Sequence, residues 1–292
     1  MFGGSMVAVV TPMTTGGAID FPAWDRLLHF HAEQQTDALV VGGTTGEAPT
    51  LEAAELDELV RRAVRVLRGR MPVIAGAGTN STARTVRRAQ ELAASGVDAL
   101  LVVTPYYNRP TQEGLFEHFR AVAAAAGIPV ILYNVPSRTG VDLQASTVAR
   151  LAREPHIVGV KEATGSVARA REILAAVPAA FELISGDDQS ARELMEAGAR
   201  GVISVTANVA PRLMHELCVA VRERHEARVR EIDQKLVKLH AALFVESNPI
   251  PVKWAAHALG LIDSGIRLPL TPLAPRFHEQ VRAGMRAAGV MN

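Results

Sequence analysis

The sequence contains almost no cysteine, no long apolar run and no excess of either charge. The single cysteine, Cys218, rules out an intrachain disulfide and is typical of a reducing compartment, so we expect a cytoplasmic location. No apolar run approaches the ~20 residues of a membrane-spanning helix, and the N-terminal stretch MFGGSMVAVVTP lacks the basic start of a signal peptide. The 31 basic and 30 acidic residues give a net charge of +1 and no basic field for nucleic acid. We therefore expect neither a membrane nor a nucleic-acid partner.

Lysine is also scarce, and its placement is informative. Only four of the 31 basic residues are lysines, and Lys161 ends the short apolar run IVGVK, which predicts a buried strand. A lysine is rarely buried without a partner or a purpose. Unlike arginine, it can lose its proton and act as an amine nucleophile, which favours Schiff-base chemistry with a carbonyl substrate. The alternative, in which Lys161 reaches a carboxylate of Glu162 or Asp187, stays open at this point.

Short apolar runs alternate with segments of helical period along the first two thirds of the chain. One such segment is 52–69, with Thr50 as its candidate N-cap. Eight strand–helix units predict an α/β fold, a (β/α)8 TIM barrel. An open doubly wound sheet is the alternative, but the Gly-rich turn that it would need is incomplete at 76–80. The predicted strands are Met6–Val10, Ala38–Val41, Val73–Ala75, Ala99–Val103, Val130–Tyr133, Ile157–Lys161, Phe181–Ser185 and Gly201–Val205.

The remaining residues form helices without intervening strands. A helix is expected over Glu226–Val245, a second from about Pro251 and a last one after Pro275. We therefore divide the chain into a catalytic barrel, 1–224, and a C-terminal helical region, 225–292.

Polar side chains collect where the predicted strands end, which is the end of a barrel that carries its chemistry. All three tyrosines of the chain follow or end such strands: Tyr106, Tyr107 and Tyr133. Thr44 and Thr45 lie in a glycine-flanked turn whose N–H groups and hydroxyls can bind a carboxylate. Arg138, in the loop PSRTG, can hold a second carboxylate through its planar guanidinium, although an exposed arginine is often only solvated.

Other chemistries lack their residues. None of the nine histidines directly follows a predicted strand, so a metal site is not expected, and His29 and His31 fall on different faces of one helix. Asp187 and Asp188 stand where a barrel usually binds phosphate, which argues against a phosphorylated substrate. No Gly-x-Ser-x-Gly elbow for a serine hydrolase is present.

The strand-end motifs resemble the dihydrodipicolinate synthase (4-hydroxy-tetrahydrodipicolinate synthase) family of pyruvate-dependent Schiff-base aldolases. The similarity runs in order across nearly the whole chain. The stretch SRTG, which includes Arg138, resembles the feature that separates this family from sister aldolases. The matching pieces are GTTGE at 43–47, VTPYYN at 103–108, YNVPSRTG at 133–140, GVKEATG at 159–165, SGDD at 185–188 and NPIPVK at 248–253.

The resemblance implies an activity and a set of roles. Lys161 would form an imine with pyruvate, and the enamine would condense with L-aspartate 4-semialdehyde in diaminopimelate and lysine biosynthesis. Thr45 would hold the pyruvate carboxylate and Arg138 that of the semialdehyde. Tyr133 would relay protons in a chain with Thr44 and with Tyr107 from a neighbouring subunit. The site would also be lined by backbone groups of Gly186 and Ile203. The family implies a homotetramer without cofactor or metal.

One departure from the family concerns feedback inhibition by lysine. Asn80 and Tyr106 of the inhibitor site are kept, but Arg84 stands where an acidic side chain would meet the ligand. An arginine would repel the lysine ammonium, so we expect weak or absent inhibition. The other positions of that site also depart from the polar residues of sensitive enzymes and read Ala48, Pro49, Ala53 and Leu56.

Two other functions remain open from the sequence. A sister lyase acting on N-acetylneuraminate or a 2-keto-3-deoxy sugar acid would share Lys161, Tyr133 and the two threonines, but would not need Arg138. A non-catalytic sensor of 2-oxo acids should have lost one member of the lysine, tyrosine and threonine set, and none is missing.

Overall fold

The computed structural model describes residues 2–292 and contains a closed barrel of eight parallel strands. Each strand pairs with its neighbours in chain order, and the first pairs with the last. The predicted (β/α)8 barrel is confirmed. The strands are β1 Gly4–Ala8, β2 Ala38–Val41, β3 Val73–Gly76, β4 Ala99–Val103, β5 Val130–Asn134, β6 Ile157–Glu162, β7 Glu182–Ser185 and β8 Gly201–Ser204.

Helices follow every strand and form the outer layer. They are α1 Phe21–Glu33, α2 Ala53–Leu67, α3 Thr82–Ala94, α4 Gln112–Ala126, α5 Pro136–Thr139, α6 Ala145–Leu151, α7 Val167–Ala176, α8 Ala191–Glu196, α9 Pro211–Arg222, α10 Glu226–Ala242, α11 Ile250–Ala258 and α12 His278–Ala287. The single-turn helix α5 lies in the loop after β5 and carries Arg138. No helix within residues 2–292 combines the length and apolarity that crossing a bilayer requires.

The strands are buried on both faces, which explains why they appear in the sequence as continuous apolar runs. Val7 and Leu39 point outward into the larger cluster between strands and helices. Met6, Val40 and Ile74 point inward and fill the barrel interior. The interior is therefore a packed core, and open space is left to the ends of the strands.

Strand β1 lies two residues earlier than its apolar run predicts. Gly4 already enters the ladder, with its N–H donating to the Arg200 carbonyl at 2.9 Å. The run continues to Val10, but the Val10 N–H donates to the side chain of Asn208 at 2.9 Å. Val9 and Val10 are thus buried although the strand ends at Ala8. Hydropathy shows that the two residues are buried but not that they lie outside the strand.

The predicted cap of α2 is wrong by two residues. Glu52, not Thr50, is the N-cap, and its side chain accepts a hydrogen bond from the backbone of Glu55. The Glu55 carboxylate in turn accepts from the Glu52 N–H at 2.9 Å, so the two form a capping box. Thr50 instead ends a short 3-10 turn and donates its hydroxyl to the Glu47 carbonyl at 3.1 Å.

The C-terminal helices are joined to the barrel by a buried ion pair. Lys253 of α11 binds the carboxylate of Glu47, which lies in the loop after β2, and both side chains are almost fully buried. The second oxygen of Glu47 accepts the Arg267 N–H at 3.1 Å. The expected helices are confirmed as α10, α11 and α12, except that α10 ends at Ala242, three residues before the predicted Val245. The boundary at 224/225 falls between α9 and α10, and the division into two regions stays a prediction.

Buried histidines serve the packing of helices. His31, His118 and His240 lie on α1, α4 and α10, and Nδ1 of each is within 3.1 Å of a threonine hydroxyl. His29 is exposed while His31 is buried, which confirms that the two face opposite sides of α1. Among residues 2–292, no group of three histidine, cysteine or acidic side chains is placed to hold a metal ion.

Burial of His31 makes the stability of the protein depend on pH. Burial lowers its pKa from 6.5 to about 3, so the folded chain keeps the ring neutral while the unfolded chain protonates it below about pH 6.5. The unfolded state then binds the extra proton. The free energy of unfolding should therefore fall as pH drops from 6.5 towards 4, by up to about 1.4 kcal/mol per pH unit from this residue.

Urea unfolding at several pH values tests this with a matched pair of variants. His31→Gln should reduce the fall in unfolding free energy between pH 6.5 and 4, leaving the part due to His118, whose pKa burial lowers to about 4. His29→Gln, an exposed position on the same helix, should keep the wild-type slope. Equal slopes for His31→Gln and the wild type would show that the buried ring does not set the pH dependence.

Candidate active site

The polar residues predicted at strand ends meet at one mouth of the barrel, around a cavity of about 270 Å³. The side chains come from the loops after β2, β5, β6, β7 and β8 and from the C-terminal region. They surround the end of β6, where the sequence predicts that Lys161 is the nucleophile. Lining residues include Thr44, Thr45, Tyr133, Arg138, Lys161, Gly186, Asp187, Val205, Phe244 and Asn248.

Lys161 is a buried amine without a carboxylate partner. It is 6% exposed, and it pairs in register with Tyr133 of β5. Its Nζ lies 4.2 Å from the centroid of the Tyr133 ring, close enough for a cation–π contact. Within residues 2–292 the amine forms no ion pair and no hydrogen bond. Such a group is poised to react with an electrophile that enters the cavity.

The two carboxylates that could have paired with Lys161 are occupied elsewhere. Glu162 accepts from the Asn134 amide at 3.0 Å and from the Thr164 N–H at 2.7 Å. Asp187 accepts both the N–H and the hydroxyl of Ser190, at 2.9 and 2.7 Å. The alternative in which Lys161 is merely half of a structural ion pair is therefore wrong.

Gly186 makes room for the Lys161 side chain. A Cβ at this position would lie 3.0 Å from Cε of Lys161 and 2.7 Å from Cβ of Ala163. Both separations are shorter than a normal carbon–carbon contact. The absence of a side chain at 186 therefore fixes how the lysine extends into the cavity.

The turn after β2 holds the two threonines at the mouth. Backbone hydrogen bonds from Gly46 to Gly43 and from Glu47 to Thr44, both 3.1 Å, form the turn. Thr45 is buried, and its hydroxyl oxygen accepts a hydrogen bond from the Asn248 amide at 3.0 Å. The ion pair of Glu47 with the C-terminal region holds the far side of the same turn.

Arg138 supplies a positive group to the cavity. It lies on α5, which Gly140 ends in the left-handed conformation at φ 73°. Its Nη2 donates to the Asn248 carbonyl at 3.3 Å, which leaves other N–H groups of the guanidinium free for a ligand. Arg138 therefore favours an anionic compound, and a guanidinium matches a carboxylate well.

Two predicted site residues lie outside the cavity. Tyr107 is 89% exposed, at φ 73°, in the loop after β4. Ile203 of β8 packs in the barrel interior with Tyr133, while Val205 lines the cavity two residues later. The roles implied for Tyr107 and for the backbone of Ile203 stay predictions.

Sequence reasoning gave no role to Asn248 and Phe244, although both line the cavity. Asn248 belongs to the motif NPIPVK, which indicated similarity to the family but did not indicate that Asn248 lies at the cavity. Nothing in the local pattern shows that a residue after a C-terminal helix reaches the strand ends. Phe244 lies two residues after the end of α10, and the local pattern gave no signal that its ring faces the site.

Comparison with known proteins agrees with this geometry. The sequence model of the dihydrodipicolinate synthetase family matches residues 1–288. A 4-hydroxy-tetrahydrodipicolinate synthase of Thiobacillus denitrificans is 55% identical, over 98% of this chain and 96% of the relative. The same enzyme of Pseudomonas aeruginosa is 52% identical, over the full length of both chains.

A solved structure has the same fold throughout. The crystal structure of dihydrodipicolinate synthase from Acinetobacter baumannii, complexed with pyruvate, superimposes with a TM-score of 0.98. It is 48% identical, and the match covers 100% of both chains. The chain therefore belongs to the dihydrodipicolinate synthetase family.

Replacing Gly186 should displace the reactive amine. In Gly186→Ala the new methyl group would lie 2.7 Å from Cβ of Ala163 and 3.0 Å from Cε of Lys161, so both neighbours must shift and the lysine leaves its rotamer. Reductive methylation of Lys161 by formaldehyde, followed by peptide mass spectrometry, should then be slower by about fivefold, the effect of about 1 kcal/mol of rotamer strain. Gly43→Ala is the matched control, since its Cβ would meet no atom closer than 3.8 Å. Equal rates in both variants would contradict this role.

Proposed function

We propose that this member of the dihydrodipicolinate synthetase family condenses pyruvate with L-aspartate 4-semialdehyde to give 4-hydroxy-tetrahydrodipicolinate, in diaminopimelate and lysine biosynthesis. The observation that carries the proposal is the buried, unpaired amine of Lys161 beside Tyr133, with Arg138 and Thr45 at the same mouth. The names of the relatives at 52% and 55% identity support the same reaction.

The amine of Lys161 attacks the pyruvate carbonyl, and loss of water gives an imine. Removal of a methyl proton gives an enamine, because the imine nitrogen accepts the electron pair. The enamine carbon then attacks the aldehyde of the semialdehyde. The amino group of that substrate displaces Lys161 as the ring closes, which returns the free enzyme. The imine acts as electron sink, so the proposed reaction uses neither metal nor organic cofactor.

Separate groups hold the two substrate carboxylates. Thr45 and the backbone of its turn bind that of pyruvate, because hydroxyl and N–H groups are suited to carboxylate oxygens. Arg138 binds the carboxylate of the semialdehyde through its guanidinium. Backbone groups of Gly186 and Ile203 complete the walls around the imine.

Tyr133 moves protons to and from the imine and enamine. Its position within 4.2 Å of the Lys161 amine, from ring centroid to Nζ, supports this role. Thr44 lines the same cavity and forms the next member of the relay. Tyr107 completes the relay in a neighbouring subunit. Its side chain is 89% exposed, and such a phenol is suited to burial against a second copy.

We extend the proposal to a homotetramer built from two dimers, in which each site borrows Tyr107 from the adjacent chain. The enzyme would act in the cytoplasm. The single cysteine, Cys218, is a free, buried thiol whose pKa is raised by burial. The fold therefore needs no disulfide, which is consistent with a reducing compartment.

Steady-state assays of the condensation, and of the cleavage reactions of the sister aldolases, test the proposal. The wild type should condense pyruvate with the semialdehyde, and Arg138→Ala should raise the KM of the semialdehyde by about 10- to 100-fold, the value of a charge-assisted hydrogen bond. Arg138→Lys should recover part of the loss, because it keeps the charge but not the planar fork. Faster cleavage of N-acetylneuraminate or a 2-keto-3-deoxy sugar acid would favour the sister aldolases instead.

Feedback inhibition by L-lysine should be weak or absent. The Arg84 Nη2 donates to Oδ1 of Asn80 at 3.1 Å. The guanidinium of Arg84 thus lies beside an amide of the implied inhibitor site, where it would repel the ammonium group of lysine. Arg84→Glu should lower the lysine concentration for half-inhibition. Arg87→Glu, another exposed position on α3, should not. Half-inhibition of the wild type at sub-millimolar lysine would contradict this expectation.

A further inference from the structure

One asparagine of the C-terminal region touches both groups that are proposed to hold substrate carboxylates. Asn248 lies between α10 and α11, is 6% exposed and lines the cavity. Its side-chain Nδ2 donates to the hydroxyl oxygen of Thr45 at 3.0 Å. Its backbone carbonyl accepts from Nη2 of Arg138 at 3.3 Å.

We propose that Asn248 is a positioning residue for the reaction. Its amide directs the hydroxyl proton of Thr45 to the pyruvate carboxylate, and its carbonyl sets the direction of Arg138. The inference rests on the proposed function, because it assigns the two contacted groups to the two substrates.

The direction of the bond to Thr45 decides what that residue can offer. A threonine hydroxyl has one proton to donate and two lone pairs to accept with. Because Nδ2 occupies one lone pair, the proton of Thr45 stays free for a ligand. A carboxylate accepts hydrogen bonds and cannot donate them, so a threonine whose proton is free binds it better.

The amide is held in place by its surroundings. Its Oδ1 is buried and has no hydrogen-bond partner within residues 2–292. Within the described residues, the bond from Nδ2 to Thr45 is therefore the one hydrogen bond that directs the side chain. The next residues begin α11, in which Lys253 binds Glu47 of the turn that carries Thr45. The ion pair and the amide thus fix the same turn from the same segment.

Replacing the side chain of Asn248 should change the KM of pyruvate and the KM of the semialdehyde to different extents. Asn248→Ala removes the bond to Thr45 but keeps the carbonyl that binds Arg138. The KM of pyruvate should rise by about three- to tenfold, the value of one hydrogen bond, and that of the semialdehyde should stay within about twofold. Asn248→Asp should raise the pyruvate KM further, because an aspartate would take the Thr45 proton and add a negative charge near the substrate.

A merely structural role predicts another pattern. General damage to the segment would raise both KM values and lower the melting temperature. In a Thr45→Val background the hydroxyl is absent, so Asn248→Ala should add nothing more to the pyruvate KM. Ser247→Ala, at the exposed neighbouring position, is the matched control and should behave as the wild type.

The experiment is steady-state kinetics of the full-length enzyme with both substrates varied, together with thermal unfolding of each variant. A rise in the pyruvate KM alone, abolished in the Thr45→Val background, is the expected result. An unchanged pyruvate KM in both Asn248 variants, or full additivity with Thr45→Val, would overturn the positioning role. A wild type that does not condense the two substrates would instead remove the proposed function.

Discussion

The proposed chemistry of this protein depends on keeping one buried amine, that of Lys161, without a carboxylate partner. Removing a lysine from water is costly, and the usual remedy is a carboxylate beside it. Here the two acidic residues considered as partners for the amine, Glu162 and Asp187, are held by other groups, and Lys161 rests against the ring of Tyr133. The missing side chain of Gly186 gives the amine its space. The barrel supports this arrangement by bringing strand ends from distant parts of the chain to one mouth.

The other buried lysine is treated in the opposite way. Lys253 has a carboxylate, Glu47, and burial lowers its pKa because the charged form loses its hydration. This pair fastens the C-terminal helices to the turn that carries Thr44 and Thr45. Asn248, in the same segment, then reaches the cavity itself. The helices after the barrel therefore belong to the site, and breaking the pair would leave a charge buried without a partner.

Much of the fold could be predicted because the signals are local. Seven of the eight strands lie within one residue of their apolar runs, since parallel strands are buried on both faces. The early end of β1 was decided by a tertiary contact, the hydrogen bond between Val10 and Asn208. The cap of α2 was decided by a local exchange between Glu52 and Glu55, which the apolar pattern does not report. Lys161, Thr44 and Thr45 could be placed at the cavity from the sequence because they end or follow strands. Asn248 was not assigned a role, because its bond to Thr45 spans 203 residues of sequence.

The central claim, that Lys161 forms an imine with pyruvate, is tested most directly by borohydride trapping. The protein is treated with pyruvate and borohydride, and the adduct is located by intact and peptide mass spectrometry, with and without L-aspartate 4-semialdehyde. The account predicts one pyruvate-sized adduct per chain, on Lys161, which decreases when the semialdehyde consumes the enamine. Absence of an adduct on Lys161 would contradict the account and would favour the interpretation of the protein as a non-catalytic sensor of 2-oxo acids.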